Sequence, residues 1–241
     1  IRSRVEEILT MVQLPDLADR YPGQLSGGQQ QRIALARVLV LKPHVLLLDE
    51  PLSNLDAKLR ETMRIELKDI QRKVGITTIF VTHDIQEAFA LSDRVAVMNQ
   101  GHIEQIGSPQ EIYESPSTEF VATFVGQPNF FDGKITTISH GCAIFLSEQG
   151  IRFFVFEGNV TKPGEEGRLV IRPEKISIHM KKQGKDNSFE GKIIRAIYLG
   201  EITKYLIDIQ GVRFIANSAK FIPEGSHIWA EWDKEDNFII R

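Results

Sequence analysis

Val45-Leu46-Leu47-Leu48-Asp49-Glu50-Pro51 sets four apolar residues in a row against two adjacent carboxylates and a proline. The apolar run predicts a short parallel strand buried on both faces. Packing needs only Val45–Leu48. Two carboxylates at the strand's C-terminal end are not explained by a core, and they fall where open α/β sheets place ligands. There Asp49 can hold Mg²⁺ through water, because that ion keeps much of its hydration shell. Glu50 can orient and polarise an attacking water.

Downstream, Ser53-Asn54-Leu55-Asp56 reads by itself as a helix cap, and a helix follows with Leu59, Met63, Leu67 and Ile70 on one stripe. Thr77–Val81 is a β-branched strand that runs into Thr82-His83-Asp84. His83 can be an ordinary loop residue, or it can share the sheet edge that carries Glu50. A helix over Ile85–Leu91, a hairpin of Arg94–Asn99 and His102–Ile106, and a helix over Phe120–Val125 complete this part.

Upstream, Val5, Ile8, Leu9 and Val12 give the helical spacing of an amphipathic segment within Ile1–Gln13. Leu25-Ser26-Gly27-Gly28-Gln29-Gln30-Gln31-Arg32 then leads into a second helix that reaches Leu41, with Ser26 at its N-cap. Two readings fit it. One is a glycine-rich turn. The other is a phosphate site, in which two glycines let the backbone approach an anion and the helix N-terminus offers free N–H groups.

After Gly126-Gln127-Pro128 the pattern changes to short strands with turns, which suggests a small barrel or sandwich. Phe131-Asp132-Gly133-Lys134-Ile135 recurs 58 positions later as Phe189-Glu190-Gly191-Lys192-Ile193, marking a duplicated β unit. The boundary is expected near residue 127, dividing the chain into 1–127 and 128–241.

Composition agrees with a globular protein: 42% hydrophobic and 25% charged, with a net charge of −3 that suggests no nucleic-acid partner. Cys142 is the only cysteine, so no internal disulfide can form, which fits a reducing cytosol. No apolar run reaches the roughly 18 residues of a membrane-spanning helix.

In order and spacing these motifs resemble the ATP-binding-cassette (ABC) transporter ATPase subunits. Leu25–Gln29 is similar to that family's signature motif, Leu46–Glu50 to its Walker B strand, Ser53–Asp56 to its D-loop and His83 to its switch histidine. The likeness covers residues 1–125. Behind it, Asn129-Phe130-Phe131, Ile171–Ile176 and Tyr198-Leu199-Gly200 resemble the tandem OB-type regulatory domain of importer ATPases. The implied fold is a partial α/β ABC core, a helical subdomain plus a parallel-sheet part, followed by an all-β OB-like domain.

The resemblance implies that Ser26, Gly27, Gly28 and Gln29 meet ATP bound on a partner subunit. It makes Glu50 the general base, brings His83 to the γ-phosphate and sends Asp56 across a homodimer, with ATP and Mg²⁺ as cofactors. The expected partners are transmembrane permease subunits and, indirectly, a periplasmic or extracellular solute-binding protein. The expected place is the cytoplasmic side of the membrane, as a peripheral subunit. No stretch fits Gly-x-x-x-x-Gly-Lys-[Ser/Thr]. The family places that Walker A loop before residue 1, so these 241 residues alone are expected to be inactive. The NFF and YLG elements favour a polyamine or ferric-iron importer over one for sugar or an inorganic anion. In a reading of another class, the chain acts only as a regulatory or dimerisation binding module.

Overall fold

The computed structural model describes residues 1–53, 55–159 and 162–240. Its chain divides into two compact units, one of residues 1–95 and 107–109 and the other of 96–106 and 110–241.

The first unit begins with α1 (Arg2–Met11) and α2 (Gly27–Leu39), followed by β1 (Val45–Asp49), α3 (Ala57–Val74), β2 (Thr77–Val81) and α4 (Ile85–Leu91). β1 and β2 pair in parallel, Val45 opposite Thr77 and Asp49 opposite Val81. Leu46 packs with Ile8, Leu9 and Val12 of the α1 segment, Leu35 and Leu39 of α2, and Leu67 and Ile70 of α3. α3 begins on the Asp56 carboxylate, which accepts from the Leu59 amide, and ends at Gly75, whose positive φ suits a residue without Cβ.

The expectation that β1 is buried on both faces does not hold for these residues. Leu47 is 71% exposed and Val45, Ile79 and Val81 are about half exposed. Side chains alternate across a strand. The face with Leu46 meets the helices, and no described element covers the other. Continuous apolarity, not alternation, is therefore the trace of this second, bare face.

The chain continues through the hairpin β3 (Val95–Asn99) and β4 (His102–Gly107) into α5 (Pro109–Glu114) and α6 (Glu119–Phe124). Ten strands follow: β5 (Asn129–Ser139), β6 (Cys142–Ser147), β7 (Arg152–Phe156), β8 (Glu166–Ile171), β9 (Ser177–His179), β10 (Asn187–Tyr198), β11 (Thr203–Ile209), β12 (Val212–Ser218), β13 (His227–Trp232) and β14 (Asn237–Ile240).

They form two five-stranded antiparallel sheets, ordered β7-β6-β5-β8-β14 and β12-β11-β10-β13-β9. Strand for strand the two match, and each takes its last strand from the other half of the sequence. β9 follows β8 but pairs with β13, and β14 follows β13 but pairs with β8. The repeat read in the sequence occupies β5 and β10. Both strands carry a register shift at the same place, Ile135/Thr137 and Ile193/Arg195. Gly133 and Gly191 also correspond. A Cβ at Gly133 would collide with the Leu146 carbonyl oxygen, and one at Gly191 would stand 2.9 Å from that of Asp208.

Instead of two barrels with separate interiors, the sheets share one core. Phe131 and Phe153 from the first meet Phe189, Phe214 and Trp232 from the second, with Phe131 and Phe214 ring centroids 4.8 Å apart. Two buried asparagines tie the sheets together across this core. Asn129 brackets the Ile215 backbone, donating to its carbonyl at 2.8 Å and accepting from its amide at 2.6 Å. Asn187 does the same to Phe154, at 2.9 and 2.8 Å. The two clasps are related as the sheets are.

Two buried charges of this unit, Glu231 and Arg172, draw on neighbouring polar groups, although Arg172 Nε has no hydrogen-bond partner among the described residues. Burial alone would push the Glu231 carboxyl up. The Ser188 hydroxyl and the Gln183, Gly184 and Lys185 amides donate to it and hold it below its usual value. Arg172 donates to the Ala122 carbonyl in α6 at 3.0 Å and the Tyr113 carbonyl in α5 at 2.8 Å. Its guanidinium lies 4.3 Å from the Tyr113 ring centroid. The Tyr113 phenol donates to Glu174, and burial with that contact pushes its pKa up to about 12.

Candidate functional site

The parallel register brings the C-terminal ends of β1 and β2 together. Glu50 extends the ladder by one bond, its amide donating to the Val81 carbonyl at 2.8 Å. It then turns the chain with φ +43°, a left-handed conformation costing a non-glycine residue roughly 1–2 kcal/mol. Its carbonyl is held by the Ser53 hydroxyl at 2.9 Å and the Ser53 amide at 3.2 Å. Both ends of the residue are fixed, so the turn persists, and such outliers concentrate at functional sites.

From β2, His83 reaches the same point. Its Nδ1 lies 3.0 Å from Glu50 Oε1, with both side chains open to solvent. The hydrogen bond to Glu50 and its charge hold the imidazole above its ordinary 6.5, with smaller help from Glu87 and Asp84 against slight desolvation. Two groups that can trade a proton thus stand beside an open sheet edge.

The loop bearing His83 is built from its neighbours. Asp84 caps α4, its Oδ1 accepting from the Gln86 and Glu87 amides at 2.8 and 3.2 Å. The Thr82 hydroxyl accepts from the Asp84 amide at 3.0 Å and donates to Glu87 at 2.8 Å. Arg64 of α3 lies 3.3 Å from Asp84. Nothing local in the sequence marks Arg64 or Glu87 as supports of this loop. An Asp placed immediately before the helical run is a capping signal for Asp84, but a helix arginine looks like any solvated charge.

Ser26 caps α2 as expected, in a reciprocal box: the Gln29 amide donates to its hydroxyl at 3.4 Å, and Gln29 Oε1 accepts from the Ser26 amide at 2.9 Å. Ser26 and Gly27 are exposed, while Gly28 is buried. A Cβ on Gly28 would stand 3.4 Å from Leu59 of α3. Among the described residues no hydrogen bond joins this helix end to Glu50 or His83. Asp49 is exposed at the end of β1, and Asp56 is engaged as the α3 cap. Asn54, between them, lies outside the described residues.

No three His, Cys, Asp or Glu among the described residues converge as a metal cage. An exposed single carboxylate such as Asp49 fits Mg²⁺ as one outer ligand to an ion that keeps its waters. It does not fit an ion enclosed by this chain alone.

A glycine-rich helix start, a parallel strand edge, a carboxylate and a histidine thus belong to one α/β unit, and a duplicated β domain follows it in the sequence. Comparison with known proteins agrees. The ABC transporter family profile matches residues 1–53, and the TOBE domain profile matches residues 169–240. The chain belongs to the ABC transporter family, among the importer ATP-binding proteins that carry a C-terminal TOBE domain.

Two relatives are each called "Spermidine/putrescine import ATP-binding protein PotA". That of Trichormus variabilis is 45% identical over 250 residues, covering 100% of this chain and 65% of the relative. That of Pseudomonas aeruginosa is 42% identical over 252 residues, covering 100% and 69%. The chain thus spans about two thirds of the length of such relatives. A solved structure, cbiO1 from Clostridium perfringens, described as part of the ABC transporter complex cbiONQ, is 36% identical. It covers 52% of this chain and 47% of its own, with a TM-score of 0.44.

Proposed function

We propose that the whole protein to which these residues belong hydrolyses ATP to energise polyamine import. The carrying observation is the Glu50–His83 pair at the C-terminal edge of a parallel sheet, 3.0 Å apart. The relatives' names favour a polyamine over ferric iron, sugar or an inorganic anion as the cargo.

Glu50 accepts a hydrogen bond from the attacking water and takes its proton as the general base. His83, kept protonated further up the pH scale by Glu50, donates towards the γ-phosphate. Asp49 would hold Mg²⁺ as an outer ligand, and the ion would supply neutralisation of phosphate charge. Ser26, Gly27, Gly28 and Gln29 present the α2 N-terminus to ATP on the partner subunit, and Asp56 reaches across that homodimer. The subunit is peripheral, on the cytoplasmic face of transmembrane permease subunits fed by a solute-binding protein. Residues 1–127 belong to the ATPase, and 128–241 form the regulatory part. The 241 residues alone bring no phosphate-cradling loop and turn over no ATP.

The test is ATP turnover by the full-length protein assembled with its permease subunits in vesicles. Spermidine-loaded binding protein should raise turnover and the unloaded form should not. Stimulation by a ferric-iron-loaded partner instead would reassign the cargo.

A further inference from the structure

The loop that carries Asp56 and the loop that carries His83 are held by one side chain, Arg60. Its Nη2 donates to the Leu55 carbonyl at 3.0 Å, next to Asp56. Its Nη1 lies 3.7 Å from Asp84 Oδ2 and its Nε 3.8 Å from Glu87 Oε1. Arg60, Asp84 and Glu87 line one small crevice with Glu50, Ser53 and His83.

Glu87 makes the arrangement consequential. Its side chain is only 4% exposed, and it accepts the Thr82 hydroxyl at 2.8 Å. A carboxylate that buried needs a cation or several hydrogen-bond donors, and removing the partner of a buried charge is strongly destabilising locally. Among the described residues the cation ion-paired with Glu87 is Arg60. Arg64, one turn on, contacts Asp84 and Gln86, and among the described residues no hydrogen bond joins it to Leu55 or Asp56.

We propose that Arg60 is a positioning residue that makes the Leu55–Asp56 loop and the Thr82–Asp84 loop move as one body. Engagement of Asp56 from a partner subunit then sets where His83 stands relative to Glu50. The functional part of this inference rests on the ATPase reading above; the mechanical part does not.

Hydrogen exchange on this 241-residue chain tests the mechanics. Four amides report: Leu59, bonded to Asp56, and Asp84, Gln86 and Glu87, bonded within the second loop. Arg60→Met should accelerate all four together, by about tenfold, while α1 and α2 keep their protection. Arg60→Lys keeps a charge for Glu87 but loses the planar fork. It should restore Asp84, Gln86 and Glu87 and leave Leu59 fast. In Arg60→Met, loosening of one loop alone, or of α1 and α2 as well, would overturn the proposal. In the full-length protein Arg60→Met should lower kcat with KM for ATP unchanged; a raised KM with kcat intact would count against it. Glu50→Gln run alongside separates the two failures. If it too kept full turnover, the assignment of Glu50 as the general base would fall, while the exchange result would stand by itself.

Discussion

The sheet of β1 and β2 and the paired sheets of β5–β14 treat polar side chains in opposite ways. Around the first, Asp49, Glu50 and His83 stand open to solvent at a strand edge. In the second, Asn129, Asn187 and Glu231 are buried and spend their hydrogen-bonding capacity on backbone and neighbouring hydroxyls. One region keeps its polar groups available for chemistry, and the other uses them to fix a fold. Substitutions should therefore divide: activity without stability in the first, stability without chemistry in the second.

The largest stability effect is expected at Phe153, fully buried where both sheets meet. Phe153→Ala should cost about 3–5 kcal/mol, read from urea unfolding followed by the fluorescence of Trp229 and Trp232. A loss below about 1 kcal/mol, small for a core aromatic, would show that the sheets do not depend on a shared core.

Next come the two clasps. Asn187→Ala leaves the Phe154 amide without its side-chain acceptor and should cost about 1–3 kcal/mol. Asn129→Ala should cost a similar amount, because it does the same to Ile215. Clearly unequal losses would mean that the duplicated positions no longer share a role.

The smallest stability effect belongs to His83. NMR titration should place its imidazole pKa above 6.5, and Glu50→Gln should lower it. Because the folded pKa is the raised one, the pair's contribution is fully present below about pH 6.5. It fades as pH rises through the folded value. For side chains this exposed the thermal midpoint should hardly move. A large pH-dependent shift abolished by Glu50→Gln would blur the division.

Much of this was legible before the fold was seen, for local reasons. β2 and α4 end where the sequence predicts, since each has a sharp change of residue type at its ends. β9 and β14 escaped notice. They are three and four residues long and pair with strands from the other half of the β domain, so no local pattern marks them. The repeat at Phe131 and Phe189 was visible, but Asn129 and Asn187 at the same spacing were not read as its fasteners. A polar residue two positions before each Phe was the available signal. Glu50 and His83 could be assigned to one sheet edge from two strand ends. Their contact depends on the parallel register of Asp49 with Val81, and the sequence does not display it.

The open polar edge has a purpose only if Glu50 works on water. The most direct measurement is steady-state ATP turnover of full-length protein carrying Glu50→Gln, with nucleotide binding measured in parallel. Glutamine keeps the shape and one acceptor oxygen but is a far weaker base. Turnover should fall by roughly 10²–10⁴-fold, with ATP still bound and an ATP-loaded dimer accumulating on size exclusion. Near-normal turnover with intact binding would contradict the assignment of Glu50 as the general base.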